Sequence, residues 1–386
     1  MNVVIRAPLL SISGYGVHSR QIFSWLEKRK DVSLSSQIVQ WGNTSWLING
    51  DYEDGLVGRI IQTSRSSPQN QDVSIQVQLP DEWDNTLAKK NIGVSAFVET
   101  DFCNPEWLKA VDRMDAVVVP STFIKESILK TGNVSTEIFV IPEWYHVDID
   151  KNNFEDIDLG IDTKFNFLTI AQFTGNTPDN DRKNLYYTLK WFCDTFSNDK
   201  DVGLILKTNH GKGTRIDRKL THNKIRQVIS EVRKGDYPKI HLVHGNLSVP
   251  ELCGLYKKDT VKCFLSLTRG EGFGLPILEA AASGIPVMTT NWSAHLDFLK
   301  LGKFIPINYK LQVIPESRID DRIFLKNMKW AMPVEEDFKK KISKFRNKSE
   351  IPLKWAKDLE KNIKSNFSSE SIMPMYDSLL ESVIGN

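Results

Sequence analysis

Short apolar runs alternate with longer amphipathic stretches along this chain, and that alternation is the strongest constraint on its fold. Strand-like runs fall at Val3–Ile5, Val73–Val77, Ile92–Val98, Ala116–Val119, Ile138–Ile141, Phe167–Ala171, Gly203–Lys207, Ile240–Val243, Val261–Leu267 and Ile285–Met288. Helical patterns such as Val17–Leu26, Pro105–Met114 and Leu185–Thr195 lie between them. An apolar strand, an amphipathic helix and a further apolar strand make a βαβ unit. The expected fold class is therefore α/β, with parallel sheets covered by helices on both faces.

At 386 residues the chain exceeds what one hydrophobic core supports, so two domains are expected. The best place to divide them is Val147–Lys164, VDIDKNNFEDIDLGIDTK, which is acidic, polar and without hydrophobic periodicity. Each half is long enough for its own doubly wound sheet. Ligands of such sheets bind beyond the carboxyl ends of the strands, and two sheets facing each other would form a cleft.

A net charge of +2 gives no global field toward nucleic acid or membrane. The opening MNVVIRAPLL has too short an apolar run for a signal peptide, and no stretch reaches the roughly 20 apolar residues of a membrane helix. Cys103, Cys193, Cys253 and Cys263 lie far apart and read as buried thiols. A cytoplasmic protein is expected, with surface contact to a membrane left open. The basic runs Lys339–Lys348 and Lys212–Lys239 read as solvated faces, with phosphate contact as the alternative.

One stretch carries chemistry. SLTRGEGFGLPILEAAASGIPV, residues 266–287, leaves a buried strand through Thr268-Arg269-Gly270 and enters a helix at Pro276. Gly284 suits the left-handed position that ends that helix. Glu271 sits in the loop and Glu279 on the first turns of the helix. Gly272 and Gly274 let the backbone approach a ligand with its amides exposed, and a helix start attracts a phosphate. Two carboxylates nearby are poor phosphate ligands but good acceptors for sugar hydroxyls. A strand–turn–helix corner with one capping and one solvated glutamate accounts for the spacing as well.

This stretch resembles the E-x7-E signature of the retaining GT-B glycosyltransferases, in particular family 4 (glycosyl transferases group 1). The resemblance implies two Rossmann-like domains facing a central cleft, with a C-terminal helix crossing back to the first. It assigns 1–160 to acceptor binding and 161–354 to the nucleotide-sugar donor, with the helices of 355–386 packing back on the first domain. Glu271, Gly272, Phe273, Gly274 and Leu275 would hold the donor sugar and diphosphate, and Glu279 the ribose hydroxyls.

Other positions agree. In FLTIAQFTGNTPDNDRKNLYYTLKWF, Arg182 and Lys183 match the family's Arg-Lys segment, and Lys183 is the leading diphosphate ligand. Gln172 stands where relatives often carry an arginine, and Arg269 is the residue in reach to supply that charge. HLVHGNLSVPELCGLY is similar to the segment that holds the base, which points to Asn246 and Leu247. Ser248 and Glu251 there also form a helix-capping S-x-x-E box. Gly14-Tyr15-Gly16 resembles the glycine loop that approaches the donor phosphates, so Gly14 and Gly16 join the donor set. The same letters nearly make a dinucleotide-binding G-x-G-x-x-G, but Ser19 stands at the last position. Glu99 and Asp101 follow a strand end where relatives often use a histidine, and they are the candidates for the acceptor hydroxyl.

The resemblance thus implies an EC 2.4-type hexosyl- or glycosyltransferase. A sugar would move from a nucleotide sugar, UDP- or GDP-linked, to an acceptor hydroxyl with retention, and with neither metal nor further cofactor. Glu271, Lys183, Glu99 and Asp101 form the catalytic set. Asp148-Ile-Asp150 and Asp156-Ile-Asp158 read as linker charge rather than a metal motif. The acceptor stays open among glycan, lipid, protein and modified nucleic acid. Another sugar-phosphate enzyme on the same scaffold and an NAD-dependent oxidoreductase are the alternatives.

Overall fold

The computed structural model describes residues 1–65, 70–151, 154–209 and 211–385. Two residues of the Val147–Lys164 segment, Asn152 and Asn153, therefore lie outside the described residues. The chain forms two α/β units. Unit 1 comprises Met1–Trp144 and Ser369–Asn386, and unit 2 comprises Tyr145–Ser368. The helix Glu350–Asn366 thus belongs to unit 2, and the last helix, Ser369–Gly385, to unit 1.

Unit 1 is built on a six-stranded sheet of β1 (Asn2–Ala7), β2 (Ser33–Ile38), β3 (Val73–Val77), β4 (Lys90–Val94), β5 (Ala116–Val119) and β6 (Ile138–Val140). The order is β2-β1-β3-β4-β5-β6, and every pairing is parallel. The apolar runs identified in the sequence account for five of these strands. The sixth, β2, reads SLSSQI and lacks an apolar run, because it sits at a sheet edge and hides its serines by hydrogen bonding. Ser35 Oγ donates to Val3 O and Ser36 Oγ to Ile60 O. The last helix completes this core with Ile372, Tyr376, Leu379, Leu380 and Val383.

Unit 2 holds β7 (Phe165–Ile170), β8 (Val202–Thr208), β9 (Lys239–His244), β10 (Val261–Ser266), β11 (Val287–Thr290) and β12 (Ile305–Ile307). They run in the order β9-β8-β7-β10-β11-β12, all parallel. Relative to the unit's own start this is 3-2-1-4-5-6, the Rossmann order. An antiparallel hairpin of β13 (Tyr309–Val313) and β14 (Lys329–Pro333) follows. With the right-handed crossovers that parallel strands take, the helices Leu185–Thr195 and Arg215–Val232 fall on one face of the sheet, and Val249–Lys257 and Leu275–Ala282 on the other. Among the described residues no helix is long and apolar enough to cross a membrane.

Candidate active site

In a sheet of this order the strand sequence reverses between β7 and β10, and ligands of such sheets bind in the crevice beyond the carboxyl ends of the strands at that point. The loop after β7 carries Arg182 and Lys183. The loop after β10 carries Arg269, Glu271, Gly272, Phe273 and Gly274.

The two loops meet through charge. Lys183 Nζ lies 2.7 Å from both carboxylate oxygens of Glu271. Arg182 Nη1 donates to Gly270 O at 2.5 Å and lies 3.5 Å from Glu271 Oε2. Glu271 is only 6% exposed. Burial alone would raise its carboxyl, but the charges of Lys183 and Arg182 outweigh that and hold it down at about 2. Its main-chain amide donates to Ser293 Oγ at 2.9 Å.

Arg269 works from beneath. Its guanidinium donates to the carbonyls of Pro178 and Asp179 and to Asn184 Oδ1, and its main-chain amide to Arg182 O. The side chain is fully buried, 5.2 Å from the Trp330 ring. All these contacts grip the 178–184 loop, so Arg269 holds Arg182 and Lys183 in place from behind.

Gly274 adopts φ 101°, the left-handed region, and caps the helix Leu275–Ala282 with Pro276 in its first turn. Among the described residues no protein acceptor takes the main-chain amides of Phe273 or Gly274. The Phe273 ring packs inward, 5.5 Å from Phe298 and 6.4 Å from Phe367. Glu279 lies on the same helix and keeps some solvent access. Tyr256 Oη donates to its Oε2 at 3.0 Å, yet desolvation dominates and the carboxyl is pushed up to about 7.

The segment after β9 is tied to the end of β8. Asn209 Nδ2 donates to Asn246 Oδ1 at 2.6 Å, and Lys207 Nζ donates to Gly245 O at 2.7 Å. Leu247 follows, and Ser248 with Glu251 forms the capping box of the next helix. Burial pushes the Lys207 ammonium down to about 8.

The remaining sequence candidates belong to unit 1. Gly14 and Gly16 open the helix Gly14–Glu27, where Ser13 Oγ accepts the Gly16 amide at 3.1 Å. Tyr15 between them stacks on Trp41 at 3.8 Å and reaches the end of β4, where its hydroxyl accepts the Ala96 amide. Glu99 and Asp101 lie in the loop after β4, half-buried.

Sequence reasoning passed over Lys207, Tyr256, Ser293 and His295. Lys207 left one signal, a cation closing an apolar strand. Ser293 and His295 left none, because their roles depend on a loop geometry in which His295 Nε2 donates to Thr290 O.

The fold is that of the GT-B glycosyltransferases. A glycosyltransferase from Rickettsia africae ESF-5 superposes with a TM-score of 0.68 at 15% identity, covering 100% of this chain and 99% of that one. Anabaena Alr3699/HepE, solved in complex with UDP and glucose, gives 0.63 at 13% identity over 99% of this chain and 100% of its own. The sucrose-phosphate synthase of Thermosynechococcus elongatus gives 0.65 at 11% identity over 100% and 99%. Residues 226–310 match the sequence model of the family Glycosyl transferases group 1, a span that includes Glu271 and Glu279. No curated relative matches the sequence.

Proposed function

We propose that this protein is a retaining glycosyltransferase that moves a sugar from a nucleoside-diphosphate sugar to an acceptor hydroxyl. The observation that carries this reading is the buried Glu271 carboxylate paired with Lys183 at the β7/β10 reversal, beside the open amides of Phe273 and Gly274. An ionised carboxylate only accepts hydrogen bonds, so Glu271 suits the hydroxyls of a donor sugar. Lys183 and Arg182 suit the diphosphate.

Charge builds on the diphosphate as the glycosidic bond breaks. Lys183, Arg182 and the amides at the helix start are donors already in place to meet it. Glu279 beside Tyr256 is the acceptor for ribose hydroxyls, and the Gly245–Leu247 backbone suits the base. The acceptor hydroxyl attacks on the face the diphosphate leaves, and a diphosphate oxygen takes its proton, which gives retention. Gly14, Gly16, Glu99 and Asp101 are assigned to the acceptor side and the donor phosphates. The UDP complex of Alr3699/HepE favours a UDP-sugar as donor. Cations of the chain neutralise the leaving group on this reading, so turnover should persist in chelator.

The test is a panel of UDP-, GDP- and ADP-sugars read by donor hydrolysis and thermal stabilisation. Glu271→Ala and Lys183→Ala should each lower turnover at least about a hundredfold while the fold survives. Near-normal turnover in both variants refutes the assignment.

A further inference from the structure

A second pocket, of about 280 Å³, opens on the other side of the loop that carries Lys183. Its lining includes Phe173, Thr174 and Asn180 from that loop, and Asn209 after β8. Lys224 joins from the helix Arg215–Val232, and Arg318 from the turn Glu316–Arg318 between the hairpin strands. This is the face on which Leu206, Leu185 and Ile225 pack. Lys207, the next residue along β8, points to the opposite face, where it reaches Gly245. The pocket therefore opens on the sheet face away from Lys207, and Asn209 in its lining joins Asn246.

Its charge is one-sided. Lys224 and Arg318 are both cationic, and among the described residues the lining contains no carboxylate. Each cation is held in place. Lys224 Nζ lies 4.2 Å above the Phe173 ring and donates to Gly175 O at 3.2 Å. The Arg318 guanidinium lies 4.1 Å from the Phe324 ring and donates to Thr174 O at 2.8 Å. Asp181, the carboxylate whose charge acts on Lys224, is committed to the loop, accepting the amides of Thr174, Lys183 and Leu185. Two fixed cations match the roughly −1.5 to −2 charge of a phosphate monoester. The side chains of Asn176, Thr221 and Ser317 complete the polar lining and suit a hydroxylated body. The volume of about 280 Å³ falls just short of the roughly 300 Å³ at which drug-sized pockets begin, so the occupant is small.

We infer that this pocket binds a small hydroxylated phosphate ester, with its phosphate on Lys224 and Arg318. The occupant would rest on the loop that presents Arg182, whose amide donates to Thr174 Oγ1 at 2.9 Å.

Titration calorimetry on the full chain tests this, with glucose 6-phosphate as probe and glucose and inorganic phosphate as the other arms. Glucose 6-phosphate should bind, and glucose should not. Lys224→Gln and Arg318→Gln should each weaken binding at least about tenfold, the usual loss for a charge-assisted contact. Lys183→Ala should leave it unchanged, which separates this pocket from the donor reading. Thermal melts without ligand check folding; should Arg318→Gln unfold, Lys224→Gln decides alone. The proposal is overturned by absence of glucose 6-phosphate binding, by wild-type affinity in Lys224→Gln, or by loss of binding in Lys183→Ala. Equally tight binding of inorganic phosphate would overturn the ester.

Discussion

Glu271 and Glu279 share one corner of unit 2, and their surroundings push them in opposite directions. Glu279 is held at about 7 against an ordinary 4.5, so the folded chain grips its proton more tightly than the unfolded one. The stability gained is complete below pH 4.5 and is lost as pH rises through 7. Glu271, held at about 2, runs the other way: its contribution is complete above 4.5 and is lost as pH falls toward 2. Glu279→Gln should therefore flatten the decline in melting temperature between about pH 5 and about pH 8. An unchanged slope would refute the assignment. The residue types of this corner were legible in the sequence, because carboxylates around a Gly-Phe-Gly-Leu-Pro turn leave few readings. The work of Arg269 was not. Seen in the chain it is one more cation before Glu271, and only the fold shows its guanidinium turned back onto the 178–184 loop.

The two corners that start helices depend on glycine for different reasons. Gly274 needs its left-handed backbone, and a side chain there would cost about 1 to 2 kcal/mol. Gly16 needs space, since a Cβ would fall on the Ser11 carbonyl oxygen. Gly16→Ala should lower unit 1 stability by about 1 to 3 kcal/mol, read as a shift in urea midpoint, while Gly14→Ala, with nothing within 4 Å, should not. Equal midpoints for both variants would contradict this packing. Strands with apolar runs could be read directly because burial on both faces demands them. Edge strands β2 and β12 and the hairpin β13–β14 escaped, since Ser33–Ile38 satisfies its burial through hydroxyl bonds, Ile305–Ile307 is only 3 residues long, and Leu311 and Val313 of β13 face solvent.

The acidic, aperiodic segment near 147–164 pointed to a division of the chain, and the second unit begins at Tyr145. A return of the chain to the first domain, which falls at Ser369, is expected from the family resemblance alone, because the amphipathic pattern of a terminal helix does not say which sheet it covers. Its partners do. His18 Nε2 lies 3.0 Å from Tyr376 Oη, the Trp25 ring sits 5.1 Å from that of Tyr376, and Arg29 pairs with Asp377 at 2.5 Å. Tyr376→Ala should cost about 3 to 5 kcal/mol, the range for a large buried aromatic, and lower the melting transition of unit 1 ahead of unit 2. Coincident loss of both transitions would argue against a unit 1 core built this way.

The discontinuity of unit 1 also orders events during synthesis. Unit 2 is one uninterrupted run, so all its strands and helices exist once residue 368 has been made. Unit 1 begins first yet lacks Ile372, Tyr376, Leu379, Leu380 and Val383 until the last helix emerges. For most of translation the sheet of unit 1 carries an apolar face that its last helix has yet to cover.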